Sequence, residues 1–308
     1  MRYVYRIEAP HPEMPKPSRL LLAKSDILSL FSKAPQRVYS RTQLADVLHH
    51  NRRSWHLAAH TTAPDFISFL IKHGDLRARK FRSKAYGQEI TRYSWGEVSP
   101  YELALSLKPR AYLCHATAVT LHGLVKPNQK TIFLNTEQSP KPSRPTSLTQ
   151  DGIGVAFSRK QRQSNLIYAY GRISVTVIAG KNTNGLGVEK ISGLDSQALA
   201  TTNLERTLID IVVRPAYAGG IAQVLKAYRA AKDRVSIDRL LAILAKLNYV
   251  YPYHQSIGFL MEKTDYPEKS YAQLRAIGLN HDFYLAHDIQ QPEYSKNWRL
   301  FYPKGLKA

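Results

Sequence analysis

Leu76-Arg77-Ala78-Arg79-Lys80-Phe81-Arg82-Ser83-Lys84-Ala85-Tyr86-Gly87-Gln88-Glu89-Ile90-Thr91-Arg92-Tyr93-Ser94-Trp95 is the stretch on which the fold turns. Small or apolar residues alternate with cations for most of its first seven positions. Ser83 to Gly87 supply a turn, and Ile90, Arg92, Tyr93 and Trp95 extend back, which predicts a hairpin. Arg77, Arg79, Lys80, Arg82 and Lys84 crowd residues 76 to 84, and no acid lies among them. A charged sheet edge that resists pairing would look like this. So would a surface built for an anionic partner.

The segments upstream weigh on that choice. Ile27, Leu28, Leu30 and Phe31 have helical spacing, with Ser25 as the expected N-cap and Pro35 closing the segment. Val38 and Tyr39 form an extended link. Ser40-Arg41-Thr42-Gln43 fits a capping box and predicts a helix to His50, with Leu44, Val47 and Leu48 inward. Thr62-Ala63-Pro64-Asp65 resembles another helix start, Phe66 to Ile71 supply an apolar face, and Gly74 is the stop. Helix, helix, helix and basic hairpin is the order of a winged helix-turn-helix, placed at residues 21 to 97. Its third helix would enter a major groove. Arg41, Arg52, Arg53, His60, Thr61 and Thr62 are the candidate DNA contacts there, and Arg77, Arg79, Lys80, Arg82 and Lys84 would follow phosphates from the wing.

Composition agrees with a polyanionic partner. The 308 residues carry 44 Lys and Arg against 23 Asp and Glu, a formal charge of +21, and a field of that sign suits nucleic acid, an anionic membrane or an acidic protein. The single cysteine, Cys114, rules out an internal disulfide and any zinc site made of two or more cysteines. The first 20 residues hold Pro10, Pro12, Pro15 and Pro17 in place of an apolar signal core and read as an extended arm. No apolar run approaches the roughly 20 residues that span a bilayer. A cytoplasmic protein off the membrane is the expectation.

Beyond residue 97 the periodicity predicts helices at Tyr101 to Leu107 and Ala111 to Leu124. Strands are predicted at Thr131 to Leu134 and Gly154 to Phe157, with a strand pair, Ile167 to Tyr170 and Ile173 to Ile178, turning at Gly171. Pro140-Lys141-Pro142-Ser143-Arg144-Pro145 is a basic, proline-stiffened loop. Thr202-Asn203-Leu204-Glu205 predicts a second capping box and a helix to Pro215; further helices are expected from Ile221 and Ile237, and residues 246 to 308 form a mixed extension.

Chemistry-bearing residues have bland readings beside the sharp ones. His115 and His122, seven apart on one predicted helix, would share a face with Cys114 nearby. No third ligand accompanies them, so packing or capping is the better reading, and no metal or cofactor is expected. Glu205, Arg206 and Asp210 resemble a catalytic cluster, yet a cap explains Glu205 and an i,i+4 ion pair explains the other two. No P-loop, dinucleotide fingerprint or HExxH occurs. The chain reads as a non-enzyme.

Three motifs in series, Tyr93-Ser94-Trp95-Gly96-Glu97-Val98-Ser99-Pro100-Tyr101-Glu102-Leu103-Ala104, Leu113-Cys114-His115-Ala116-Thr117-Ala118-Val119-Thr120-Leu121-His122-Gly123-Leu124 and Thr201-Thr202-Asn203-Leu204-Glu205-Arg206-Thr207-Leu208-Ile209-Asp210, resemble the AbiEi family of antitoxins from type IV, abortive-infection toxin-antitoxin systems. The resemblance covers residues 21 to about 245. It implies an α+β protein with an N-terminal winged helix-turn-helix followed by a larger mixed α/β antitoxin domain at 98 to 245. The first part would repress its own operon at inverted-repeat DNA. The second would oppose a co-encoded nucleotidyltransferase toxin without a stable complex. Lys141, Arg144, Arg159, Lys160, Glu205, Arg206 and Asp210 are the candidate residues of the antitoxin domain. A transcriptional regulator whose second domain senses a ligand or dimerises, with no toxin partner, is the alternative. A nucleic-acid-modifying enzyme that docks through the winged helix is the third.

Overall fold

The computed structural model describes residues 18–126, 130–140, 147–192 and 198–307. The chain is mixed α/β and divides into two units. The first holds the described residues up to Ala78 together with Tyr93–Val98; the second holds Arg79–Arg92 and Ser99 onward. The division falls inside the hairpin.

In the first unit Ser18 caps a short helix α1 (Arg19–Leu22), and α2 (Lys24–Lys33) follows, so Ser25 lies inside a helix and not at its cap. β1 (Val38–Tyr39) leads to α3 (Arg41–Asn51), whose start is the Ser40/Gln43 capping box, and α4 (Ala63–His73) starts from a second box in which Thr62 and Asp65 cap each other. Each box satisfies amides that the first helical turn leaves open. The hairpin strands are β2 (Leu76–Ser83) and β3 (Glu89–Trp95). β1 pairs antiparallel with β3, Val38 opposite Ser94 and Tyr39 opposite Tyr93, and β3 lies between β1 and β2. Ile27, Phe31, Leu44, Leu48, Trp55, Phe66, Leu70 and Trp95 form one buried cluster, with the Phe31 and Trp95 rings stacked at 5.1 Å. This is the usual way short amphipathic helices become stable, by burying a shared stripe.

In the second unit the outer part of β2 pairs with β6 (Ile167–Tyr170), Arg82 opposite Ala169. Elements between them are α5 (Pro100–Leu105), β4 (Tyr112–Leu113), α6 (His115–Leu121), β5 (Thr131–Glu137) and α7 (Gln150–Phe157). Then come β7 (Ile173–Gly180), β8 (Val188–Ser192), β9 (Ala198–Thr202) and α8 (Leu204–Val213). The sheet order is β2-β6-β7-β5-β4-β9-β8, with β5 parallel to β7 and β4 parallel to β9. Helices α9 (Ile221–Ala231), α10 (Ile237–Leu247), α11 (Tyr253–Lys263) and α12 (Glu268–Ala276) follow. A small sheet of β10 (Phe283–Tyr284), β12 (Leu300–Pro303) and β11 (Pro292–Ser295), in that order, ends the chain. One core cluster runs from Val119 through Leu208, Ile211, Tyr228 and Ile257 to Trp298 and Leu300, so residues after 245 share the core of those before. Among the described residues no helix is long and apolar enough to cross a membrane.

Three expectations are corrected here. Ala111 to Leu124 is not one helix: Tyr112 and Leu113 pair with β5 and β9, the chain turns at His115 with φ of +50°, and α6 starts there. His115 therefore opens the helix and His122 follows its end. Residues 154 to 157 are helical, because Thr149 caps the Gly152 amide and Ile153 and Phe157 share a buried face at i,i+4. The predicted Thr202/Glu205 box does not form: Thr202 is held in the β9 ladder opposite Val188, and Asn203 caps the Arg206 amide at 2.9 Å instead.

Gly258 on α11 offers a test of the packing. A Cβ there would stand 2.0 Å from the ring of fully buried Trp298, whose Nε1 donates to Glu262 at 2.6 Å. Gly to Ala inside a helix ordinarily gains about 1 kcal/mol. Here Gly258→Ala is expected to lose about 1–3 kcal/mol by overpacking, a reversal of sign readable in a urea midpoint.

Candidate functional site

The first unit presents its candidate contacts at the start of α3 and along the connection from α3 into α4. Arg41, the first residue of α3, is exposed, as are Arg53 and His60. Arg52 is committed elsewhere: its guanidinium donates to the carbonyls of Ala58, Ala59 (2.9 Å) and Thr61 (2.7 Å) and pins the connection between α3 and α4. Thr61 is half-buried. The Thr62 hydroxyl donates to the Asp65 carboxylate at 2.6 Å, and those bonds hold the Asp65 carboxyl below its ordinary range. A base contact by Thr62 would compete with its own cap. Arg41, Arg53 and His60 are thus the side chains of this set whose charged or polar ends remain available.

The hairpin cations do not form a free wing. Arg77 pairs with Asp75 at 3.1 Å and with Glu97. Arg79 is half-buried and donates to the Tyr170 hydroxyl at 3.1 Å, while Phe81 stacks on the Tyr170 ring at 4.9 Å. Lys80 pairs with Glu89 at 3.2 Å. Arg82 and Lys84 are exposed, and their side chains have no ion-pair partner among the described residues. The outer hairpin is a strand of the second unit's sheet, because β6 completes its ladder.

In the second unit, the second and third motifs meet. Leu113 pairs with Thr201, and His122 Nε2 donates to the Thr202 carbonyl at 2.7 Å. The Thr202 and Thr207 hydroxyls lie 2.7 Å apart. Arg206 and Asp210 form a buried ion pair at 2.7 Å, and Arg206 also donates to the Leu186 carbonyl at 2.7 Å. Burial pushes the Asp210 carboxyl above its ordinary range against the pull of Arg206, while Asp210 and Tyr112 hold the Arg206 guanidinium protonated in spite of burial. Glu205 is buried as well and accepts from the Ser236 amide at 3.0 Å. All three residues serve the packing of α8. Arg159 and Lys160 are exposed beyond α7; Lys141 and Arg144 lie outside the described residues.

Beside this network lies an open cleft of about 600 Å³ whose polar lining includes Arg110, Tyr112, Glu137, Asn182 and Asn184. Glu137 organises its wall: its carboxylate accepts from the Thr183 amide at 2.9 Å, the Thr183 hydroxyl, the Gly185 amide at 3.2 Å and Tyr112 Oη at 3.3 Å. Burial pulls its carboxyl upward, but those donors together outweigh it and hold the group below its ordinary range. Sequence reasoning missed Glu137 and Arg110, since neither sits in a motif and only the fold brings residues 110, 137 and 182 to 185 together. Cys114 is wholly buried, and burial pushes its thiol well up, so it packs and does not attack. Among the described residues no cluster of His, Cys, Asp and Glu is placed to hold a metal.

No protein-family model matches the chain, and none of the curated proteins matches it. Among solved structures it is similar to the crystal structure of the RV2827C protein from Mycobacterium tuberculosis, with a TM-score of 0.56 at 15% sequence identity over 91% of each chain. That likeness is one of fold.

Proposed function

We propose that this chain is a DNA-binding antitoxin that represses its own operon, with the first unit as a winged helix-turn-helix and the second as the part that opposes a co-encoded nucleotidyltransferase toxin in the cytoplasm. The observation that carries the reading is the β1–β3 pairing, which closes the order helix, strand, helix, helix, hairpin around one core. It leaves Arg53, just past the end of α3, and His60, shortly before α4, exposed. In this reading α4 lies in the major groove, and Arg53 and His60 meet phosphates and base edges. The charge of +21 supplies the long-range attraction. The convergence of the second and third motifs in one packed region supports treating residues 98 onward as a unit with its own task.

Arg53→Ala is expected to weaken binding to DNA from upstream of its own gene by about 5- to 150-fold, the value of one good base contact. A gel shift at fixed salt reads it, and unchanged affinity would move the interface off this face. Co-expression with the neighbouring gene tests the antitoxin half: rescue of growth is the expected result. The cleft between Arg110, Glu137 and Asn184 favours a second reading, a regulator that senses a small polar ligand. A neighbouring gene that is harmless when expressed alone would favour it.

A further inference from the structure

The outer hairpin, as part of the second unit's sheet, carries a basic face of its own. Phe81 and Ser83 are buried and Lys80 and Arg82 are exposed, so alternation along β2 aims the two cations away from the core. Register carries that face across four strands: Arg82 stands opposite Ala169, Ala169 opposite Ser174, and Ser174 opposite Thr131. At about 4.8 Å per strand this row is about 14 Å long. The residues that follow Arg82 along it are small or hydroxylic, and the Thr131 and Ser174 hydroxyls lie 3.0 Å apart. Exposed cations border the row: Arg172 in the turn between β6 and β7, Lys130 just before β5, whose carbonyl accepts from the Ser174 amide at 2.9 Å, and Lys84 just past β2. The nearby acid Glu89 is paired with Lys80. Tyr86, in the turn beside Lys84, is 71% exposed.

A large aromatic held in water by a hairpin turn, beside exposed cations and a row of small or hydroxylic half-buried residues, has the makings of a site for unpaired bases. Cations track the backbone, an aromatic face stacks a base whatever its identity, and hydroxyls can bond a ribose 2′-OH. A duplex keeps its bases stacked inside and gives Tyr86 nothing to cover. We propose that this face binds single-stranded RNA, with Arg82, Lys84, Lys130 and Arg172 on phosphates and Tyr86 stacked on a base. The residues of this site all belong to the second unit, and the proposal does not rest on the operator-binding reading.

The test uses the full chain and a fluorescent 20-nucleotide oligouridylate, read by anisotropy across a salt series. Four phosphate contacts predict a slope of log K against log salt of about −2.8. Arg82→Ala, Lys84→Ala and Arg172→Ala combined should flatten that slope by about 2. Tyr86→Ala should weaken binding by about 5- to 150-fold with the slope unchanged. All four positions are exposed, and a melting curve matching the wild type keeps folding out of the comparison. Arg53→Ala should leave oligouridylate binding intact. The proposal is overturned if oligouridylate does not bind, or binds equally well to the combined variant. Tighter binding of oligothymidylate or of duplex DNA of equal length overturns it as well.

Discussion

Asp210→Ala is expected to destabilise the protein by about 3–5 kcal/mol, the cost of leaving a buried charge without its partner. The Arg206 and Asp210 side chains are 5% and 9% exposed and meet at 2.7 Å. Truncating the carboxylate strands the guanidinium under the loop whose Leu186 carbonyl it also holds. Domain stabilities are typically about 5–15 kcal/mol, so the variant should sit near the folding threshold. Urea denaturation measures the loss. Arg206→Met combined with Asp210→Leu should recover most of it, because replacing both members of a buried pair by apolar groups is often close to neutral. A loss under about 1 kcal/mol for Asp210→Ala would mean that water reaches Arg206 and that the pair is not closed off as its burial implies.

Acid should weaken the fold from pH 6.5 downward, with His115 as the largest identified contributor. Its ring is buried against Tyr217 at 5.4 Å, Nδ1 has no hydrogen-bond partner among the described residues, and burial first, then Arg214 and Arg206, lower its pKa to about 3. The folded state keeps the ring neutral while the unfolded chain takes up a proton near the ordinary value of about 6.5. Stability from this group is therefore fully present above pH 6.5 and is lost as pH falls toward 3, at about 1.4 kcal/mol per pH unit. Between pH 7 and pH 5 the loss is about 2 kcal/mol. His122, His254 and His287 are lowered too, each chiefly by burial, and add in the same direction. His115→Asn suits the positive φ of the position. It should flatten the dependence of unfolding free energy on pH by His115's share, and an unchanged slope would place the proton uptake on other residues.

Features closed within one turn of helix or one strand are legible from the residues alone. Ser40 with Gln43 and Thr62 with Asp65 sit within three residues of each other, so the starts of α3 and α4 were legible, as was the i,i+4 contact of Arg206 with Asp210. The hairpins followed from alternation and a turn, and Gly171, with φ of +55°, is where β6 gives way to β7. Misreadings came where distant chain overrode local preference. Tyr112 and Leu113 have helical neighbours yet are drawn into ladders with β5 and β9, and Thr202 is held in a strand so that Asn203 takes the cap. The surroundings of the basic hairpin depend on long-range pairing. Alternation announces two strands but cannot say which strand will pair with their outer edge, because that depends on residues 167 to 170, which lie far along the chain. That pairing, together with the acids at positions 75, 89 and 97 and the hydroxyl of Tyr170, sorts five cations that are equivalent in sequence into three with partners and two that face solvent.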